Sequence, residues 1–532
     1  MILLSVPELR EWLESGQEHA LFDVREAGEA HRGHIFGASF LPRRQIEFRI
    51  AALVPDRGTA ICLVDGGGAD RRARYAAGTL ERLGYRQVSV LDGGTEAWAA
   101  SGQILVAGSN VPSKLFGEEV QEGQHVPHID VATLKQWQDE GRDHLVCDIR
   151  SPEEYRSSRI PGARGAFGTE LARLAPSLRG EGRPIVVHCS GRTRSIVACQ
   201  TLRLLGVPDV HALENGTMGW RLAGYPLERG QGAGVLTPDP AFAAQSEADV
   251  LALALQAGAQ RLSCEQFEAW RQERADGRAN VYLVDVRQVP EFVDGHVPGS
   301  IAVPGGLAIQ RADEFVPVRA GRVVFIDNDE TRSALAAYWY RQMGFAQVYL
   351  LQGGLRAWQA AGGMTETGRG REQPLGWDEA VELARTIAPG QLAQHMASMQ
   401  VVNVDTSAEA AKTHLPGTDW IRYGDLEERV AAMSDAQRAR LVLTCRDGTL
   451  STMAAANLAR AGWPGVPVLA GGVAAWRSAG FELEQGAIGG LAGATDLVVQ
   501  PYDAGLEEMQ RYLAWEQQLI QQIRQQSSAS ER

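Results

Sequence analysis

Gly93-Gly94-Thr95-Glu96-Ala97-Trp98 returns, altered but recognisable, as Asn215-Gly216-Thr217-Met218-Gly219-Trp220, Gly353-Gly354-Leu355-Arg356-Ala357-Trp358 and Gly471-Gly472-Val473-Ala474-Ala475-Trp476. A unit written four times settles the architecture before any single element is read. Upstream of each tryptophan an apolar run ends in Asp23-Val24-Arg25, Asp148-Ile149-Arg150, Asp285-Val286-Arg287 and Asp405-Thr406-Ser407, so the copies align at both ends. A turn follows each: His34-Ile35-Phe36-Gly37-Ala38, Arg159-Ile160-Pro161-Gly162-Ala163, His296-Val297-Pro298-Gly299-Ser300 and His414-Leu415-Pro416-Gly417-Thr418. Short apolar runs at 60–64, 185–188, 323–326 and 441–444 read as buried strands. The residue just past each run is Asp65, Cys189, Asp327 or Cys445, standing 42, 41, 42 and 40 positions after the first aspartate and 33, 31, 31 and 31 before the tryptophan.

Each unit alternates strands with helices, which predicts an α/β fold with a mostly parallel β-sheet flanked by helices on both faces. The four units are expected over residues 1–106, 126–228, 257–364 and 388–485, with a tail over 486–532. The segments 107–124, 229–260 and 365–389, rich in Gly, Pro and polar residues, read as linkers. Helical periodicity shows at 247–256 and 378–387. In the tail, Leu506, Met509, Leu513, Ile520 and Ile523 fall at helical spacings. This amphipathic helix either pairs subunits into a homo-oligomer or packs back on its own chain.

A length of 532 residues suits three or four domains. Fifty-two Lys and Arg against 65 Asp and Glu leave a net charge of −13, which argues against nucleic acid or an anionic membrane surface as partner. An anionic substrate would need locally concentrated positive charge. The six cysteines, Cys62, Cys147, Cys189, Cys199, Cys264 and Cys445, have neither disulfide-framework nor zinc spacing, and no metal or organic cofactor is implied. The first residues lack a signal-peptide pattern and no stretch has the length of a spanning helix. The expectation is a cytoplasmic protein.

The chemistry concentrates in one loop, His188-Cys189-Ser190-Gly191-Arg192-Thr193-Arg194-Ser195, which opens directly into a helix. A thiol at such a strand-to-helix junction faces loop N–H groups, the positive end of the helix dipole and two guanidinium groups, all favouring thiolate. The same donors could hold an anion at the sulfur. A small apolar residue closing a strand would explain a buried cysteine, but not Gly191, Arg192 and Arg194 around it.

Together, the Asp-x-Arg strand end, the His-x-Pro-Gly turn, the cysteine loop and the Gly-Gly-x-x-x-Trp turn resemble the rhodanese homology domain of sulfurtransferases. The likeness covers about 400 residues in four copies and is similar to bacterial proteins with four tandem rhodanese domains. It implies an enzyme of the thiosulfate sulfurtransferase type. Cys189 would take a sulfane sulfur from an anionic donor such as thiosulfate, carry it as a persulfide and pass it to cyanide or a thiol. Ser190, Gly191, Arg192, Thr193 and Arg194 would hold donor and persulfide, with the two arginines binding the anion. Two alternatives are a non-catalytic scaffold or sulfur-relay protein and a cysteine phosphatase. Phosphatase loops place five residues between Cys and Arg, whereas four separate Cys189 from Arg194, a smaller cradle for a phosphoryl group.

The fourth loop, Cys445-Arg446-Asp447-Gly448-Thr449-Leu450-Ser451, sets Asp447 against Arg446 and has Leu450 where the second unit has Arg194. Cys445 therefore ranks below Cys189, as a second carrier or a remnant. Asp65 and Asp327 cannot carry a persulfide, so the first and third units are expected to be inactive. Their carboxylates could themselves occupy the N–H ring. Gly66-Gly67-Gly68 lacks the Gly-Lys-Ser/Thr of a phosphate loop. His188, one residue before the cysteine, points to the opposite face and reads as a core histidine. Asp148 and Arg150 read as a polar clamp at the strand end.

Overall fold

The computed structural model describes residues 1–230, 232–370 and 373–530, with side chains described as far as Ile523. It contains four five-stranded parallel sheets of one topology. In the first, β1 (Ile2–Leu4), β2 (His19–Asp23), β3 (Ser39–Phe40), β4 (Ala60–Val64) and β5 (Gln87–Leu91) lie in the order β1-β5-β4-β2-β3. The second repeats this with β6 (His128–Ile129), β7 (Leu145–Asp148), β8 (Arg164–Gly165), β9 (Ile185–His188) and β10 (Val210–Leu213). The third has β11 (Gln260–Leu262), β12 (Val281–Asp285), β13 (Ile301–Ala302), β14 (Arg322–Ile326) and β15 (Val348–Leu351). The fourth has β16 (Arg385–Ile387), β17 (Gln400–Asn403), β18 (Asp419–Trp420), β19 (Leu441–Thr444) and β20 (Pro467–Leu469).

Central strands such as β9, Ile-Val-Val-His, are apolar on both sides because helices cover both faces. Alternation along β2 and β4 shows the two destinations. Leu21, Cys62 and Val64 pack with Leu9 and Trp98 on one face, whereas Phe22, Ile61 and Leu63 pack with Ile46, Ile50 and Leu80 on the other. That second cluster runs on through units two and three, while the fourth unit keeps a core of its own. Polar contacts follow the same division. Tyr282 donates to the Leu53 carbonyl at 2.7 Å and Trp339 Nε1 to Thr201 Oγ1 at 3.0 Å. The fourth unit meets the first through ionic and amide groups, Arg422 with Glu29 at 2.9 Å and Asn457 with Glu47 at 3.0 Å.

Two expectations are corrected here. Segment 107–124 is not a slack linker: Val111–Gln124 is helical, with proline in its first turn where a missing N–H costs nothing. Gly117 serves close approach, since a Cβ there would lie 2.8 Å from Thr193 Cγ2 and 3.2 Å from Thr193 Cα. In the fourth unit, the strand ends at Asn403, not Asp405. Asn403 pairs with Trp420 and Thr444 as Asp148 pairs with Gly165 and His188, and its Oδ1 accepts from Asp405 N at 2.9 Å as Asp148 Oδ1 accepts from Arg150 N at 3.1 Å. Asp405 thus holds the arginine's position, and the interval to Cys445 becomes 42 by subtraction of residue numbers. The C-terminal helix Leu506–Ser530 takes the second of its two expected roles and packs back on its own chain. Met509 and Leu513 are buried against Met218, and Leu519 against Val106 and Val111 of the same chain. Among the described residues, no helix is long and apolar enough to cross a membrane.

Candidate active site

Cys189 begins a four-residue loop between β9 and the helix Thr193–Leu204, and is 2% exposed. The Asn215-Gly216 turn shapes this loop from behind. Thr217 N donates to the Cys189 carbonyl at 3.0 Å and Met218 N to that of Ser190 at 2.9 Å. A Cβ on Gly216 would stand 2.2 Å from the Cys189 oxygen, so only glycine fits. The same clamp recurs at Asp65, Asp327 and Cys445, through Thr95 N at 2.9 Å, Leu355 N at 2.7 Å and Val473 N at 2.9 Å. The repeated glycines are therefore there for contact with the loop.

Around the sulfur, Cys189 Sγ lies 3.6 Å from Ser195 Oγ, whose hydroxyl donates to the Arg192 carbonyl. Arg194 donates twice to Glu154, at 2.8 and 2.9 Å, and once to Ser190 Oγ at 3.2 Å; its Nε is buried without a partner among the described residues. Burial opposes charge on Glu154, but the Arg194 guanidinium beside it holds its carboxyl down at about 2. Arg192 is likewise engaged, donating to both oxygens of Glu118 at 2.7 and 2.8 Å. Thr193 Oγ1 donates to Glu516 of the C-terminal helix at 2.8 Å. The sequence reading missed Glu118, Glu154 and Glu516. Glu154 caps the helix Pro152–Ser157 in the Ser151-Pro152-Glu153-Glu154 box, so its cap was legible but not its second task.

This loop opens on a cavity of about 490 Å³ lined by units one, two and three, the linker helix and the tail. Among the described residues, six cationic side chains reach it: Arg44, Arg49, Lys114, Arg192, Arg194 and Arg311. Four carboxylates line it too, Glu154, Asp313, Glu314 and Glu516, so in a chain of net charge −13 the cavity wall carries a small excess of cations. Only Arg192 and Arg194 belong to the cysteine loop. Cys445 does not line the cavity, nor does any residue of 388–485.

The other three loops differ at the same place. Asp65 accepts from the N–H groups of Gly67 at 3.1 Å and Ala73 at 3.0 Å, and Asp327 from that of Arg332 at 2.9 Å, so carboxylates sit among the loop donors. Burial and a neighbouring aspartate push these carboxyls up, to about 6 and about 7. In the fourth loop Ser451 N donates to Cys445 Sγ at 3.3 Å, but Asp405 accepts from Arg446 N. Burial and then the Asp405 charge push the Cys445 thiol up to about 11. Asp148 and Arg150 form the expected clamp, with Nε and Nη2 on the two carboxylate oxygens and Nη2 also on the Ser158 carbonyl. His188 is buried, its Nδ1 facing the Cys189 carbonyl at 3.2 Å.

The family model of the rhodanese-like domain matches four times, at residues 5–101, 130–223, 267–361 and 388–479, well over half of the chain. The chain belongs to the rhodanese-like domain family. A crystal structure of thiosulfate sulfurtransferase from Pseudomonas aeruginosa is similar along its whole length, with 34% identity, a TM-score of 0.86, and 99% of this chain and 98% of that one covered. A sulfurtransferase of Allochromatium vinosum is 31% identical over 107 residues, 20% of this chain and 99% of its own length. An uncharacterised protein of Synechocystis is 34% identical over 91 residues, 17% of this chain and 49% of its own. The match thus spans about half the length of that relative. The rhodanese-like units differ in what they place at the loop position, and the second alone combines a cysteine there with this cavity.

Proposed function

We propose that the protein is a sulfurtransferase that carries sulfane sulfur as a persulfide on Cys189. One observation carries the reading: a loop cysteine at a helix N-terminus opens on a cavity into which six cationic side chains reach. The likeness to the Pseudomonas enzyme supports it. The Cys189 thiolate attacks the outer sulfur of thiosulfate, the sulfur–sulfur bond breaks, and sulfite leaves with the bonding pair. The persulfide rests among the N–H groups of Ser190 to Arg194, with Arg194 as its nearest cation. Cyanide or a thiolate then attacks the terminal sulfur, and Cys189 leaves as thiolate. Glu154 orients Arg194, and Ser195 steadies the sulfur. Asp65 and Asp327 leave the first and third units without a nucleophile.

Intact mass after brief incubation with thiosulfate, then cyanide, tests this on the unchanged protein, Cys189→Ser and Cys445→Ser. A gain of one sulfur atom that cyanide removes and that Cys189→Ser abolishes is expected, with Cys445→Ser like the unchanged protein. If no sulfur is retained, the thiosulfate reading is wrong, and a relay protein fed by another protein's persulfide takes its place.

A further inference from the structure

The arginines that the motif singles out for the donor are already occupied. Arg194 is held by Glu154 and Arg192 by Glu118, in each case through two hydrogen bonds. Of the cavity's other cations, Arg44 pairs with Glu26 at 3.0 Å and Arg311 with Glu314 at 2.5 Å. A guanidinium that already has a bidentate carboxylate gains little by taking a second anion.

Lys114 differs from all of them. It lies on the linker helix Val111–Gln124, outside the four repeats, is 7% exposed and lines the cavity of Cys189. Among the described residues its Nζ has no hydrogen bond and no carboxylate within 4.0 Å. It sits instead over two aromatic rings of the C-terminal helix, 4.9 Å from the centroid of Tyr512 and 5.0 Å from that of Trp515. Three carboxyl groups act on it from farther off, Glu516, Asp313 and Glu314. Glu314 is taken by Arg311 and Asn110, and burial pushes Glu516 and Asp313 toward their neutral forms. Arg49 is the companion case, with neutral partners only: the Gln45 amide oxygen at 3.1 Å and the Glu314 carbonyl at 2.9 Å. Burial pushes this amine toward its neutral form, and with no direct ion pair of its own its charge would be held best by an anion from outside. Tyr512 links this cation to the cysteine loop, since its Cε1 lies 3.7 Å from where a Cβ on Gly191 would stand.

We propose that Lys114, seconded by Arg49, is the specificity-determining anion site of the Cys189 pocket, binding the charged oxygens of the sulfur donor that stay behind when its outer sulfur is transferred. This rests on the sulfur-transfer reading and assigns the donor's charge to a residue that no rhodanese-like unit contributes. The aromatic shelf under Lys114 comes from the tail, so the pocket needs both the linker and the C-terminal helix.

Two measurements test it. In Cys189→Ser protein, where no transfer occurs, calorimetric binding of thiosulfate should weaken about tenfold or more on adding Lys114→Met, the scale of one lost hydrogen bond to a charged group. Lys114→Arg should recover most of it. Binding within twofold of the Cys189→Ser parent, or no binding by that parent, overturns the assignment. In protein with Cys189 intact, thiocyanate formation from cyanide is measured above the protein-free rate with thiosulfate and with dimethyl trisulfide, an uncharged donor whose central sulfur passes to Cys189 as methanethiolate leaves. Lys114→Met should lower the ratio of their kcat/KM values about tenfold, chiefly through KM for thiosulfate. An equal fall with both donors would mean that Lys114 only supports the fold of the pocket, and would overturn the proposal. Failure of the unchanged protein to retain sulfur from either donor would sink the transfer reading, while the binding measurement still decides Lys114.

Discussion

Cys445 stands where Cys189 stands, yet its surroundings should keep it a thiol near neutrality. It is 1% exposed, and burial followed by the Asp405 charge pushes it up to about 11 from 9.0, against the hydrogen bonds from Ser451. Two units amount to roughly 2.7 kcal/mol against the thiolate, or about a hundredfold fewer thiolates than an unperturbed thiol at the same pH. Alkylation by iodoacetamide, followed for each cysteine peptide between pH 7 and 11, reads this directly. Burial slows the reagent at every pH, so the shape of the profile is the test. The Cys445 rate should rise about tenfold per unit of pH through pH 10 without levelling. Asp405→Asn should raise the rate at about pH 8, where Asp405, itself pushed up to about 6, is charged. A profile that levels below pH 9, or one indifferent to Asp405→Asn, would refute the reasoning and return Cys445 to the list of sulfur carriers.

Two further outcomes follow from the loops. Gly216 has φ +50° and its Cβ would stand 2.2 Å from the Cys189 carbonyl, so Gly216→Ala should cost about 1–3 kcal/mol and abolish sulfur retention. Gly224→Ala, at φ +81° with open space around it, is the control that has the backbone strain without the collision and should keep its persulfide. The Asp327 carboxyl, pushed up to about 7 by burial and Asp329, favours the folded state fully below its unfolded value near 3.8 and loses that advantage as pH rises through 7. Asp327→Asn should therefore raise the melting temperature more at pH 8 than at pH 5, and an equal change at both would show that the carboxyl is not the cause.

The repeat was legible because its constraints are local. A turn glycine that must clear the loop carbonyl recurs in every copy as Gly94, Gly216, Gly354 and Gly472, and the buried strands are short apolar runs. Matching by residue type misplaced the fourth strand end: an aspartate was sought where Asn403 supplies the same acceptor, and Asp405 stands two positions on, in the arginine's place. Segment 107–124 read as a linker because glycine is common in linkers, yet a glycine placed for close helix packing, as Gly117 is, looks identical in one dimension.

Sequence alone determined the four parallel α/β units, the cysteine loop and the two aspartates that replace it, because strand periodicity, turn chemistry and loop composition act over a few residues. Only the tertiary structure decided that Arg192 and Arg194 face Glu118 and Glu154, that the C-terminal helix lies on its own chain, and that Lys114 lines the Cys189 cavity without a direct ion pair among the described residues. Those contacts join residues tens to hundreds of positions apart, and the charge a side chain presents to a cavity depends on what it is already paired with across the fold.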